Sequence, residues 1–393
     1  MARVGVGSFI LSLSLACLAV SGSAAPHPKS PGRAASSANS DLTAHEWGTF
    51  TSVADRSGEA VKWHPFDGVY DLPEFVEHFR TLDFKVSLQG TIRMETPVLY
   101  FYSPVPTTAS VHVGFSNGVI TEWYPHASHV EPNPNKVLDG AALYHWWHSN
   151  GGIAWDSVSI EPGLAARETA ASPLTVTAAN GRTQQEKFLF YRGVSVFPVP
   201  LSAQSTADGK VLVRNLGQEQ IPSVILFERR GDKLGYRAGG KLDGEMQLEP
   251  PELTSTVESL SRDLEAVLIA QGLFPDEARA MVETWRTSWF EEGSRLLYIV
   301  PGSFVDAVLP LSVSPAPAQT LRVFVGRMEL ITSATEQAVE KAPASRDRYT
   351  INKYGRFLEP ILDQLKAEDP ARAALLDKQL QDTYKVELVE PPK

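Results

Sequence analysis

The stretch LTAHEWGTFTSVADRSGEAVKWHP, residues 42–65, opens the strand pattern that decides the fold. HEWGTFTSV is rich in aromatic and β-branched residues, DRSG is typical of a turn, and EAVKWHP resumes the strand pattern. Side chains alternate between faces in a regular strand, so we expect His45 and Glu46 to point to opposite sides. Sharing the face of His45 are Trp47, Thr49, Thr51 and Val53. The stretch therefore predicts a β-hairpin at the start of the fold.

The rest of the chain extends this pattern and then changes it at PPEL, near residue 250. Residues 43–250 alternate short strand-like runs with turns, which indicates a β-sandwich-like domain. Residues 251–393 contain helical spacing, renewed strand runs and two C-terminal helices, which indicates a mixed α/β region packed on that domain. The later strands either form a small sheet of their own or complete the earlier one. The predicted fold class is α+β, predominantly antiparallel β.

The first 24 residues have the features of a secretory signal peptide. Arg3 precedes an apolar run from Val4 to Val20, and SGSAA offers small residues for cleavage after Ala24. Residues 25–42 are rich in Pro, Ser and Ala, which predicts a flexible linker. We expect a periplasmic or secreted protein without a transmembrane segment, because no later apolar run reaches about 20 residues.

The single cysteine, Cys17, lies within this predicted signal. Cleavage leaves a mature chain without cysteine, which excludes disulfides, thiolate nucleophiles and cysteine-ligated metal sites. The alternative is that Cys17 is the acylation site of a lipoprotein, although Ser14-Leu15-Ala16 matches the required motif poorly.

Charge and motifs exclude several functional classes. The formal net charge is −10 and the sequence contains no Lys/Arg cluster, so we expect no nucleic-acid partner. The chain also lacks a Walker loop, a dinucleotide fingerprint and a GxSxG nucleophile motif.

All nine histidines lie between His27 and His148. The densest part contains two HxxH pairs, whose imidazoles suit a divalent transition metal such as Zn²⁺. The candidate metal ligands are His45, His126, His129, His145 and His148. The alternative is that they are surface or stacking residues of a proline-rich loop.

Three carboxylates of the same half are candidate catalytic residues: Glu46, Glu95 and Glu122. Glu95 and Glu122 lie between apolar neighbours in TIRMETPVLYFY and VITEWYP, where a raised pKa suits a general acid. The alternative is a solvated sheet face on which Arg93 and Glu95 pair with opposite charges on neighbouring strands.

Tryptophans are also concentrated here, and indole faces suit the apolar side of a sugar ring. The candidate ligand-binding residues are Trp47, Trp63, Trp123, Trp146 and Trp147. The alternative is that they build the core. Trp146 and Trp147 cannot both face inward on a regular element, so HWWH is the preferred small patch for a ligand.

The blocks HEWGTFTSV, RMETPVLYFYS and WFEEGSRLLYIVP resemble a family of uncharacterised exported bacterial proteins. This resemblance implies bacterial export and no particular reaction. Two functional classes remain. The first is a binding or accessory protein that recognises a glycan or envelope component through a His/Trp-rich surface. The second is a secreted hydrolase, either metal-assisted or with paired carboxylates.

Overall fold

The computed structural model describes residues 39–65, 72–73, 75–78, 89–132, 150–163, 169–178, 180–206, 208–345, 347, 351 and 353–385. The predicted signal peptide, and the predicted linker up to residue 38, lie outside these ranges. The remaining linker residues, 39–42, form the start of the first strand. None of the helices in these ranges combines the length and the apolar character that crossing a membrane requires.

The secondary structure is strand-rich up to residue 250 and gains helices after it, which confirms the predicted α+β class. The strands are β1 Asn39–Ala54, β2 Ala60–Val61, β3 Glu77–His78, β4 Ile92–Tyr102, β5 Thr107–Phe115, β6 Gly118–Tyr124, β7 His129–Glu131, β8 Gly151–Ile160, β9 Leu174–Thr177, β10 Thr183–Glu186, β11 Leu189–Ser195, β12 Leu201–Ser205, β13 Val211–Asn215, β14 Ile221–Arg230, β15 Lys233–Leu242, β16 Glu245–Leu248, β17 Gly293–Ile299, β18 Leu311–Ser314 and β19 Pro317–Leu330. The helices are α1 Val257–Ala270, α2 Pro275–Trp289, α3 Gly302–Val308, α4 Ser333–Ala344, α5 Gly355–Glu368 and α6 Pro370–Lys385.

The central sheet has the strand order β15-β14-β17-β19-β1-β4-β11-β6-β3. β1 lies in its middle, parallel to β19 and antiparallel to β4, and it forms the expected hairpin with β2. β17 and β19 come from the C-terminal half of the chain but lie between β14 and β1. The late strands therefore complete the earlier sheet, which is one of the two arrangements that the sequence left open.

One face of the central sheet packs against two smaller sheets, as in a sandwich. The first has the order β10-β9-β8-β5-β18, with β7 paired to β8, and the second has the order β12-β13-β16. Phe50 of β1 and Met94 of β4 share this core with Trp155 of β8 and Val213 of β13. Burial of such large apolar side chains stabilises the fold by about 1.5–3 kcal/mol each.

The opposite face of the central sheet is covered by helices. α1 is capped by Thr256 and buries Leu260, Leu264 and Leu268 at helical spacing. α2 has Pro275 in its first turn, as expected for a residue without an amide hydrogen, and it buries Trp285 and Trp289 against the sheet. Both helices share a core with Trp47 and Tyr100 of the sheet.

The three later helices cover the other end of the same face. Val339, Phe357 and Leu376, from α4, α5 and α6, share a core with Val53 of β1 and Trp63. Side chains on this face of the central sheet therefore meet two separate groups of helices.

Candidate ligand-binding site

Polar residues replace apolar ones where the two groups of helices meet over the central sheet. Thr51 of β1 pairs with Arg93 of β4 on one side and with Arg327 of β19 on the other. Glu95 lies level with Thr49, one step along the same strands. Paired residues of neighbouring strands project from the same face about 5 Å apart, so these side chains form one polar row.

A β-bulge in β4 brings Glu95 to this face. The register between β1 and β4 shifts between Trp47 and Thr49, opposite Thr96, which has a positive φ of 48°. Glu95 and Tyr100 differ by an odd number of positions, so a regular strand would place them on opposite faces. Both instead face the helices, because the bulge reverses the alternation.

A cavity of about 250 Å³ lies over this row and is called here the arginine cavity. Its floor is the central sheet, and its walls are α2 with the residues after it, α5 and the segment after β2. It is lined by Thr51, Trp63, Pro65, Arg93, Glu95, Thr284, Trp285, Thr287, Ser288, Glu291, Arg327 and Arg356. The lining combines cations, carboxylates, hydroxyls and two indoles in one place.

An ion-pair network holds the arginines of the cavity in position. Arg327 lies 2.6 Å from Glu329, also pairs with Glu291, and donates to the Ser288 hydroxyl at 2.6 Å. Arg356 lies 2.7 Å from Glu291 and 3.4 Å from Glu329. Behind the cavity, Arg295 lies 3.0 Å from Glu329. Shared carboxylates therefore tie β17, β19 and α5 to the end of α2.

Burial and charge shift the pKa values of this network in opposing ways. Burial alone would raise the pKa of Glu329, but Arg295, Arg327 and Arg356 outweigh it and lower this pKa to about 2. Burial lowers the pKa of Arg295 to about 9. Burial also acts to lower the pKa of Arg327, but Glu329 and Glu291 outweigh it and raise that pKa above its ordinary value.

Several buried donors of the cavity-lining residues lack an acceptor in the described structure. They are the Thr51 hydroxyl, the indole N–H groups of Trp63 and Trp285, and the Nε–H groups of Arg327 and Arg356. A buried donor without an acceptor costs about 1–3 kcal/mol. The cavity therefore favours a ligand that presents acceptor oxygens.

Glu95, in contrast to these donors, offers a hydrogen-bond acceptor to a ligand. Its side chain is only 6% exposed and lines the arginine cavity. An ionised carboxylate only accepts hydrogen bonds, so it suits a ligand hydroxyl. Together the lining residues match a ligand that carries both hydroxyl groups and acceptor oxygens.

The other two candidate carboxylates lie elsewhere. Glu46 is fully buried on the sandwich face, where Arg322 lies 2.7 Å from it and the Tyr191 hydroxyl donates to it. Glu122 is 1% exposed on β6, in register with Arg192 of β11. These contacts give Glu46 a structural role in the packing on the sandwich face of the central sheet.

His45 is buried against the start of α2. Its Nδ1 donates to Glu277 at 2.8 Å, and Glu277 also accepts from the Tyr102 hydroxyl at 2.6 Å and from the Phe274 amide at 2.9 Å. Burial, followed by Glu277, raises the pKa of Tyr102, so the phenol keeps its proton and donates. This arrangement fastens α2 to the central sheet.

The structure does not bring the described candidate metal ligands together. His126 follows β6, three strands away from His45, which is about 14 Å at the usual strand spacing. His126 lies 2.8 Å from Glu77, and His129 lies 3.3 Å from Glu131 at the surface. Within the described ranges, no three His, Cys, Asp or Glu residues form a metal-binding group. His145 and His148 lie outside the described residues.

The candidate tryptophans are similarly dispersed. Trp47 stacks on Tyr100 in the helix-side core, with ring centroids 5.8 Å apart. Trp123 donates from Nε1 to Glu77 at 2.9 Å, and Trp63 lines the arginine cavity. Trp146 and Trp147 lie outside the described residues. Of the nine candidates that lie in the described residues, Glu95 and Trp63 are the two that line this cavity.

The sequence signal for the rest of the cavity is a repeated tripeptide. Arg-Met-Glu occurs at residues 93–95 and again at residues 327–329, each time inside a strand with apolar neighbours. The structure places both arginines level with Thr51. The repeat is thus a sequence signal for Arg327, whereas nothing in the sequence indicates that α5 supplies Arg356.

Comparisons with known proteins give little further information. No family model matches the chain. A membrane protein insertase YidC of Shewanella piezotolerans is 39% identical over 70 residues, which are 18% of this chain and 13% of that protein. The yeast delta-COP-I mu-homology domain aligns with 74% of this chain and 96% of its own, with 10% identity and a TM-score of 0.24 in its complex with a Dsl1 WxWxV peptide. The same domain alone gives 8% identity and a TM-score of 0.23.

Proposed function

We propose that this protein binds an acidic carbohydrate in the arginine cavity. The proposal rests on one observation: the Glu95 carboxylate lines the same cavity as Thr51, Trp63 and Trp285, whose buried donors have no acceptor in the described structure. A sugar with a carboxylate group supplies acceptor oxygens to the donors and hydroxyl groups to Glu95. Arg327 and Arg356 favour the negative charge of the ligand.

The indoles and the predicted leader support the same class of ligand. Trp63 and Trp285 are 3% and 5% exposed and offer aromatic surface to the apolar side of a sugar ring. The predicted leader supports action outside the cytoplasm, where envelope glycans are found. A mature chain beginning at Ala25 in intact-protein mass spectrometry tests that location, and an acylated Cys17 would contradict it.

The test compares matched pairs of variants. Thr51→Val and Trp285→Phe remove donors of the arginine cavity, whereas Thr49→Val and Trp289→Phe remove equally buried and acceptor-less groups that do not line it. Calorimetric titration with oligosaccharides of glucuronic or galacturonic acid is the measurement. We expect about a five- to tenfold loss of affinity for the first pair and none for the second.

Neutral oligosaccharides of the same ring stereochemistry serve as ligand controls and should bind more weakly. The proposal fails if no acidic oligosaccharide binds saturably. It also fails if Thr49→Val and Trp289→Phe reduce affinity as much as their partners in the cavity, since the loss would then reflect stability.

Glycoside hydrolysis is the second candidate, because Glu95 and Glu291 line the same cavity. Paired carboxylates perform this reaction, one as general acid and one as nucleophile or base. Glu95 is the candidate acid because it is the more buried of the two carboxylates, and Glu291 is the candidate partner because two arginines hold it. Release of reducing ends that stops in Glu95→Gln while binding persists supports hydrolysis; binding without turnover in the wild type supports the binding function alone.

A further inference from the structure

A second cavity lies on the opposite face of the central sheet. It has a volume of about 430 Å³ and is called here the α4 cavity, because the start of α4 forms one wall. Leu226 and Leu330 on its floor belong to the core between the sheets. Thr206 and Val211, at the hairpin of β12 and β13, form the facing wall. Its lining residues do not overlap with those of the arginine cavity.

The helix start supplies amide donors to this cavity. Thr332 caps α4 by accepting from the Thr335 amide at 3.3 Å. The amides of Ser333 and Ala334, which line the cavity, belong to the first turn and have no acceptor within the helix. The positive end of the helix dipole adds to their attraction for an anion.

A buried hydroxyl on the floor points independently to a ligand. Ser294 of β17 is 4% exposed, lines the cavity, and its Oγ has no hydrogen-bond partner in the described structure. It lies in register between Glu228 of β14 and Leu330 of β19. The central sheet thus places a donor opposite the helix start.

The charged side chains of the cavity are paired with one another. Arg230 donates from Nε to Glu228 at 2.8 Å, and its guanidinium carries further N–H donors. Arg56 at the rim donates to Glu336 at 2.8 Å and also pairs with Glu368. Since each lining carboxylate has its own arginine, the amides at the helix start, which only donate, favour an anion, and the Ser294 hydroxyl can donate to it as well.

We infer that the α4 cavity is a second binding site and that its ligand is a phosphate-class oxyanion. Donors converge from the helix start, from the sheet floor and from Arg230, and a tetrahedral group with several oxygens can accept from all three. This site is independent of the carbohydrate proposal, because its residues and its face of the sheet are different.

Backbone and side-chain variants test the inference separately. Ser333→Pro removes one amide donor at the first helical position, where proline is favoured, and Thr332 already has the extended φ of −91° and ψ of 158° that a following proline requires. Ser333→Ala removes only the hydroxyl. Ser294→Ala removes the floor donor, and Ser52→Ala removes a similarly buried, unpartnered hydroxyl of the same sheet outside the cavity.

The full mature chain is titrated with inorganic phosphate, and binding is monitored by amide chemical shifts and by calorimetry. Acetate serves as the comparison anion and should bind more weakly. We expect saturable shifts at Ser333 and Ala334 and about a tenfold loss of affinity in Ser333→Pro and Ser294→Ala. Ser333→Ala and Ser52→Ala should bind like the wild type. Absence of saturable phosphate binding, or equal binding by all four variants, overturns the inference whatever the result with acidic sugars.

Discussion

At the residue scale, the main feature is how many ionised groups the helix-facing side of the central sheet accommodates. Arg295 and Glu329 are both fully buried, and each depends on the other for charge compensation. Burying a charge is costly unless it is paired and hydrogen-bonded. The i, i+2 charges of the strand around Met328 therefore mark a polar layer inside the protein rather than a wet sheet face.

We predict that Glu329→Gln lowers the free energy of unfolding by about 3–5 kcal/mol, because it leaves Arg295 buried without a counter-charge. Urea denaturation at neutral pH measures the change. Glu283→Gln is the control, since that carboxylate lies in an exposed pair with Arg286 and should cost less than about 0.5 kcal/mol.

The same variant should change the response to acid. The pKa of Glu329 falls from 4.5 to about 2 on folding, so its contribution to stability is fully present above about pH 4.5 and is lost as the pH falls towards 2. The unfolding free energy of Glu329→Gln should decline less steeply over that range. Parallel acid profiles for the variant and the wild type would contradict this account.

At the element scale, the position of α2 depends on contacts distant in sequence. The helical spacing after residue 250 continues through α1 and α2, and α2 buries one apolar face that includes Met281, Trp285 and Trp289. The contact that fastens its first turn joins Glu277 to His45 and Tyr102, which lie 232 and 175 positions away. Local spacing carries no information on such pairs, so the sequence alone indicates His45 only as a candidate metal ligand.

We predict that Glu277→Ala destabilises the protein by about 3 kcal/mol, because it leaves His45 and Tyr102 buried without their acceptor and removes the cap at Phe274. Glu283→Ala, an exposed change on the same helix, is the matched control. Hydrogen exchange should show faster opening of α1 and α2 in the first variant alone. Equal exchange rates in the two variants would show that Glu277 does not fasten α2 to the central sheet.

At the scale of the whole molecule, the chain returns to its beginning to complete one sheet. β19 pairs with β1 along most of its length, and β17 joins β19 to β14. The change from strand-like runs to helical spacing near residue 250 therefore does not coincide with a boundary between sheets. Contact between the ends of the chain also assembles the arginine cavity, since Arg93 and Arg327 are separated by more than half of the sequence.

We predict that a fragment of residues 39–250 does not fold, because it lacks the two strands between β14 and β1 and exposes the apolar face that α1 and α2 cover. Near-ultraviolet circular dichroism and limited proteolysis, compared with residues 39–393, measure this. The longer chain should unfold in one cooperative transition. A stable, protease-resistant fragment would show that the first half is an independent domain.

The sequence by itself determined the fold class, the opening hairpin, the two faces of β1 and the helices α1 and α2, because these follow from local periodicity, turn residues and caps. It also identified Glu95 and Trp63 as candidates. Only the tertiary structure decided which candidates meet: a bulge opposite Thr96 turns Glu95 to the helix side, and the parallel pairing with β19 brings Arg327 beside Thr51. Strand order and register arise from long-range packing, so no local pattern predicts them.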